Sequence, residues 1–335
     1  MTEANLPEQM THGERVSATL RGEEVDRPAA SMWRHHFADE RTGDGLASAA
    51  LRFQKNFDWD FVKINPRATY HAEAFGMPFQ FLENDHPQVI DTLVKEPEDW
   101  RKIEAQGLDQ AVLSEHLRAL ELVVKSVGGD TPILMTVFNP ISIAARFTPS
   151  GRLFAQHLRE HFDEVGPALD AVTETFTRFA KACLDRGARG IFFATTAWAM
   201  RKRLTEEEYT RFGRPYDLKV LDAASEGSFN LMHVCQDQSM LRLLGDYPAH
   251  AFNWDVLGKE NPSLSEGQGW VRDRPVMGGI PHESLLVDAN PGEIASTVAR
   301  LKDEMRGHSW MVGPGCSFDP MTPEANVRAI RDAIR

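Results

Sequence analysis

An imidazole and a thiol two residues apart, His233 and Cys235, close the apolar run Phe229-Asn230-Leu231-Met232-His233-Val234-Cys235. If that run is a strand, residues i and i+2 share a face, so both side chains aim at one point. Imidazole and thiolate together suit a borderline-soft cation, above all Zn²⁺, which binds both at about 2.0 to 2.3 Å. A third donor, Cys316, stands in Val312-Gly313-Pro314-Gly315-Cys316, where glycines let the backbone bring a thiol close to another group. Three protein ligands leave one coordination position open, which is what catalytic zinc requires. A His-x-Cys pair also arises by chance, and a buried cysteine usually packs as a small hydrophobe. The strand-end position of the pair and the glycine-rich turn around the third thiol favour the metal reading. Cys183, inside the helical pattern Phe179-Ala180-Lys181-Ala182-Cys183-Leu184, reads as packing.

The elements that must position these donors follow from the rest of the chain. With 335 residues the polypeptide is long enough for one large domain or two ordinary ones. A net charge of -12 argues against a nucleic-acid partner, since phosphate binding wants a basic face. Small molecules are the expected ligands. No apolar stretch approaches the length of a bilayer span, and the polar start Met1-Thr2-Glu3-Ala4-Asn5 is no signal peptide, so a cytoplasmic location is expected. Three cysteines are no disulfide framework.

Thr11, with Glu14 three residues on, predicts a capping box opening a helix to about Leu20. Strands are predicted at 29–33, 60–64, 131–137, 191–194, 229–232, 251–254, 275–279 and 309–312, each but the last separated from the next by at least one helical pattern. The stretch 70–94 carries mixed signals and predicts a hairpin or an extension. A last helix starts at Thr322-Pro323-Glu324, with Pro323 near its first turn. This alternation predicts an α/β fold, a (β/α)₈ TIM barrel formed by residues 1–335 as a single domain with an N-terminal helical extension. A doubly wound open sheet is the runner-up, but no G-x-G-x-x-G follows the first strand.

In a barrel, sites lie at the C-terminal ends of the strands. His233 and Cys235 end the fifth, and Cys316 follows the eighth. Arg34, His35 and His36 follow the first, Asn65 the second, Asn139 the third and Asp255 the sixth. His35 and His36 are candidate acid/base or orienting groups; facing opposite ways in an extended segment, at most one reaches the cavity. Asp255 is a candidate second partner of the metal, or a helix cap. Trp33, Arg34, Asn65, Asn139 and Trp198 are candidate substrate contacts, Asn139 alternatively satisfying backbone after its strand. Trp33, Phe138, Trp198 and Trp254 would either line a mouth suited to an aromatic or apolar ligand or belong to the core.

The chain resembles the uroporphyrinogen decarboxylase superfamily, and within it the zinc methyltransferase branch, the methylcobalamin:coenzyme M methyltransferases. The resemblance rests on Glu14-Arg15-Val16, Asp26-Arg27-Pro28, Leu204-Thr205-Glu206, Arg214-Pro215-Tyr216, Pro314-Gly315-Cys316 and Thr322-Pro323-Glu324-Ala325-Asn326-Val327. That branch holds zinc with a His-x-Cys and a distant Cys, matched here by His233, Cys235 and Cys316. True decarboxylases differ at four points. They carry an aspartate where Ile64-Asn65-Pro66-Arg67 stands, a histidine at Cys316, an arginine-rich N-terminal signature reduced here to Arg34, and a tyrosine replaced in Ser142-Ile143-Ala144-Ala145-Arg146. The resemblance therefore implies a zinc-dependent methyltransferase moving a methyl group between a corrinoid or methylated small molecule and a thiol or corrinoid acceptor. Without an Asp-x-His-x-x-Gly motif of its own, the chain would receive methylcobalamin from a separate corrinoid protein. The alternatives are a decarboxylase, or a zinc hydrolase or lyase, on the same barrel.

Overall fold

The computed structural model describes residues 9–335. Eight strands, β1 Ala29–Ala30, β2 Val62–Ile64, β3 Ile133–Phe138, β4 Gly190–Ala194, β5 Leu231–Val234, β6 Ala251–Trp254, β7 Val276–Ile280 and β8 Trp310–Pro314, form one sheet. All pair in parallel, in the order β1-β8-β7-β6-β5-β4-β3-β2. The two ends of that order meet. The Asp60 amide donates to the Ala30 carbonyl at 2.9 Å, and Ser31 Oγ to the Phe61 carbonyl at 2.8 Å. The sheet thus closes into the predicted (β/α)₈ barrel. Helices such as Gly43–Phe57, Ala111–Val127, Phe162–Asp185 and Pro291–Glu304 cover its outside. The mixed stretch after β2 contains a short helix, Tyr70–Glu73, and a two-stranded antiparallel hairpin, Phe79–Gln80 with Gln88–Val89.

β1 is shorter than the sequence suggests. Beyond Ala30 the ladder to β8 continues only as the Ser31 amide on the Val312 carbonyl and an isolated bridge from Arg34 to Phe318.

The barrel interior shows why the site lies where it does. Inward side chains recur every second residue. Ala29, Phe61, Leu134, Phe192, Leu231, Ala251, Met277 and Met311 belong to one buried apolar cluster, with Val16 of the first helix and Trp33. The helix His12–Leu20, held by the Thr11–Glu14 capping box, brings Val16 and Leu20 onto the lower end of this cluster. Two residues further along six of these strands, the same inward register reaches Lys63, Thr136, Ala194, His233, Asn253 and Gly313. Apolar side chains fill the bottom, and polar ones begin where the barrel opens.

Below the barrel, Asp60 is fully buried and accepts four hydrogen bonds: from Arg15 Nη1 at 2.6 Å, Arg27 Nη1 at 2.7 Å, Arg27 Nη2 at 2.9 Å and the Ala30 amide at 2.8 Å. Arg15 also clasps Asp26 through Nε and Nη2, both at 2.7 Å. This cluster ties the N-terminal helix to β1 and the seam.

Candidate metal centre

His233 occupies the inward position of β5 directly beside Asn253 of β6. Its Nδ1 lies 2.6 Å from Asn253 Oδ1. The amide nitrogen of Asn253 donates to the carbonyls of Met277 and Pro314, each at 3.0 Å, so Oδ1 must be the atom facing the histidine. An acceptor there puts the imidazole proton on Nδ1 and leaves Nε2 with a free lone pair. Two residues on, Cys235 follows on the same side, and its Sγ lies 3.8 Å from Cys316 Sγ. Donor atoms of His233, Cys235 and Cys316 all fall within 4.8 Å of one another. Cys316 arrives through a tight approach: a Cβ on Gly315 would sit 2.7 Å from Asp255 Oδ1 and 3.0 Å from both Asp255 Cα and His282 Nδ1. Only glycine passes there without displacing backbone.

The three groups fit zinc on the chemistry of the set: one neutral imidazole with its tautomer fixed from behind, and two thiols close enough to share an ion. The electrostatics agree. Contact with Cys316 and burial hold Cys235 well above the ordinary thiol range, while contact with Cys235 and with His233 brings Cys316 below it. Two thiols this close do not ionise together without a cation between them. Gln236, whose Nε2 lies 3.5 Å from Cys235 Sγ, sits in the left-handed region at φ 76°. Strain of this kind clusters at functional sites.

Asn253→Ala is expected to leave the ligands in place but to weaken zinc about 10- to 100-fold, the usual effect of losing the partner that orients a ligating histidine. A chelator competition reads this directly, with circular dichroism as the check on folding. Unchanged affinity would mean that His233 is oriented by something other than this amide.

All three donors line a cavity of about 1300 Å³ at the C-terminal mouth of the barrel. Of the residues singled out from sequence, Trp33, His35, Asn65, Phe138 and Trp198 also line it. Four do not. His36 turns outward against Phe53, at a ring separation of 5.9 Å, and burial lowers it to about 4; it alternates with His35, so only one of the pair faces in. Arg34 lies between Phe53 and Phe318 and donates to the Pro320 carbonyl at 3.2 Å. Asn139 is fully buried, its amide donating to Tyr209 Oη at 3.0 Å and Asp217 Oδ1 at 3.2 Å. Asp255 caps its own loop by accepting from the Leu257 amide at 3.1 Å and stands 4.0 Å from His282 Nδ1. Trp254, one residue past inward Asn253, points out of the barrel and donates to the Pro262 carbonyl at 2.9 Å.

Lys63, like Asn253, is a residue that sequence reading passed over. It projects inward from β2, its Nζ 4.4 Å from the Phe192 ring centre and 5.3 Å from that of Trp33, hydrogen-bonded to Asn65 Oδ1. Burial brings it down to about 7 against the upward pull of Cys316, Glu40 and Cys235. A lysine inside Phe61-Val62-Lys63-Ile64 was itself a signal, because lysine is almost never buried without a partner. His35 is held by Glu40, both carboxylate oxygens lying 3.1 Å from its Nδ1.

Comparison with known proteins gives a consistent picture. The sequence profile of the uroporphyrinogen decarboxylase family matches residues 11–335. The methylcobamide:CoM methyltransferase MtbA of Methanosarcina acetivorans is 23% identical, with 98% of each chain covered. The methylcobamide:CoM methyltransferase MtaA of Methanosarcina barkeri is 25% identical over 85% of this chain and 82% of that one. A solved methyltransferase from Methanosarcina mazei superposes with a TM-score of 0.83 at 21% identity, covering 97% of this chain and 98% of its own. No helix among the described residues is long and apolar enough to cross a membrane.

Proposed function

Because the chain belongs to the uroporphyrinogen decarboxylase family, we propose that it is a zinc-dependent methyltransferase, moving a methyl group between a corrinoid and a thiol. The observation that carries this reading is the convergence of His233, Cys235 and Cys316 within 4.8 Å at the barrel mouth. The names of the relatives, methylcobamide:CoM methyltransferases, support the same chemistry. A decarboxylase has no use for two thiols at that point.

His233, Cys235 and Cys316 would hold the ion, their shared face turned to the cavity so that a substrate sulfur can approach. Zinc, when bound, supplies a Lewis acid that keeps such a thiol as thiolate at neutral pH. The remaining work falls to the chain itself. Asn253 fixes the imidazole. Lys63 places a cation beside a donor set that carries two thiolates, and a third arriving with substrate makes that positive charge worth more in a poorly hydrated interior. The Trp33 and Phe192 faces hold the ammonium and keep water away from it. The methyl-carrying corrinoid would come on a separate protein, docking over the cavity mouth.

The test is a methylcobalamin absorbance assay with a series of small thiols, run beside elemental analysis. About one zinc per chain is expected, with demethylation of the corrinoid that is lost on chelation and restored by zinc. A fully zinc-loaded protein that exchanges methyl with no thiol would contradict the reading, as would turnover indifferent to metal.

A further inference from the structure

The inward period of β1 carries on past its last paired residue. Ala29 and Trp33 belong to the interior cluster, and His35, two residues beyond Trp33, lines the cavity while His36 turns outward. The chain then doubles back, the Asp39 and Glu40 amides donating to the His36 carbonyl at 2.8 and 2.9 Å. That turn sets the Glu40 carboxylate against the ring of His35, both oxygens 3.1 Å from Nδ1. The ring is clamped on two further sides. Phe37 stacks on it with centres 5.2 Å apart, and His86, from the connection of the hairpin, meets it edge-on at 4.8 Å. Nε2 is left as the ring nitrogen free to meet a ligand.

Glu40 is 2% exposed, and among the described residues no lysine or arginine reaches its carboxylate; its other contact is the His36 amide at 3.1 Å. A neutral acceptor such as glutamine would close that turn as well, so the turn does not account for a buried charge. A carboxylate on Nδ1 does something more: it fixes the tautomer and stabilises the imidazolium, which makes Nε2 the better base. No other histidine of the cavity wall is held this way. His71 and His86 have no carboxylate within hydrogen-bonding distance of their rings among the described residues, and those nearest His282 stand at 3.7 and 4.0 Å. Asp39 on the turn, Asp85 on the hairpin and Lys63 on β2 stand around the pair without hydrogen-bonding to its side chains. The Phe318 amide donates to the Trp33 carbonyl at 3.1 Å, which ties the segment bearing His35 to the one bearing Cys316.

We infer that His35, oriented by Glu40, is the proton acceptor of the cavity, taking the proton that a substrate thiol gives up as it enters the site. The S–H bond breaks, its electron pair stays on sulfur, and the proton passes to His35 Nε2, directly or through one water, leaving an imidazolium held against the Glu40 carboxylate. In the reverse direction the same group returns the proton to the released thiolate. The choice of a thiol rests on the function proposed above. Glu40 is a positioning residue; His35 is the group that meets the substrate.

Calorimetric titration of the zinc-loaded protein with 2-mercaptoethanol, at about pH 8 where a free imidazole is neutral, in phosphate and in Tris, counts the protons released on binding. The wild type should release clearly less than a full proton per thiol bound, and His35→Gln, with unchanged zinc content, close to a full one. In the corrinoid assay His35→Ala should lower kcat about 100- to 1000-fold, the range for a lost acid–base group, and added imidazole should restore part of that rate. Glu40→Gln keeps an acceptor for the His36 amide and should lower kcat about 10- to 100-fold with little change in KM. Equal proton release in the wild type and His35→Gln, or a rate in His35→Ala that imidazole leaves unchanged, overturns the inference and leaves the zinc centre standing. A zinc-loaded wild type that binds no thiol contradicts the function proposed above, and the inference with it.

Discussion

Cys316→Ala should empty the metal site and lower methyl transfer by at least about a thousandfold. The reason is geometric as well as chemical. Cys235 and Cys316 follow β5 and β8, which do not pair with each other, yet their sulfurs lie 3.8 Å apart, and no carboxylate among the described residues takes part in the cluster. Removing one thiolate from a three-donor set leaves an imidazole and a single sulfur, too few to retain zinc against water and buffer. A Lewis acid that supplies about 4 kcal/mol to the reacting step corresponds to about three orders of magnitude in rate. Cys235 should relax toward an ordinary buried thiol, since the contact that holds it up is with Cys316. Zinc content and the corrinoid assay on the same preparation read both effects. The matching change Cys183→Ala should leave both untouched, because that thiol lies inside the helix Phe162–Asp185 with no exposed surface and is pushed up by burial.

The largest loss of stability is expected far from the chemistry, at Asp60→Ala. Its carboxylate has 1% exposed side chain and stands between two guanidinium groups, Arg15 and Arg27, while also accepting the Ala30 amide. Truncation leaves two cations and a backbone donor without their common acceptor, and breaking a buried pair in this way costs about 3–5 kcal/mol. Because Arg15 belongs to the helix beneath the barrel and Ala30 to β1, the lesion lies at the seam where the sheet closes. Urea unfolding should show a lower midpoint with little change in slope. The same network predicts acid sensitivity. Burial pushes Asp26 up, but hydrogen bonds from Arg15 and from the Met10 and Arg27 amides outweigh it and bring the group down to about 2. A carboxylate lowered in the folded state adds stability above its unfolded value near 4, and that stability is lost as pH falls from about 4 toward 2.

His233 and Cys235 were legible in the sequence as candidate metal donors because they obey the period of a strand. His233 and Cys235 share a face whatever the neighbouring strands do, and Gly315 marks the close approach that Cys316 needs. The barrel was legible from alternation alone. Distance from a strand end proved a weaker guide, since it ignores which way a residue points. His36, Arg34 and Asp255 each sit at the correct end of a strand and turn away from the cavity, and Asn139 goes into a buried network with Tyr209 and Asp217. The residues passed over are those whose signal was an anomaly of type rather than a motif. Lys63 and Asn253 are polar side chains in inward positions of apolar strands, readable once the inward register is known.

X-ray absorption at the zinc edge, on protein purified without chelator, tests the central claim most directly. Two sulfur scatterers at about 2.3 Å and one imidazole nitrogen at about 2.0 Å are expected, with one sulfur absent from whatever metal Cys316→Ala retains. A shell of oxygen and nitrogen alone, or the same two-sulfur shell in that variant, would show that His233, Cys235 and Cys316 do not hold the ion.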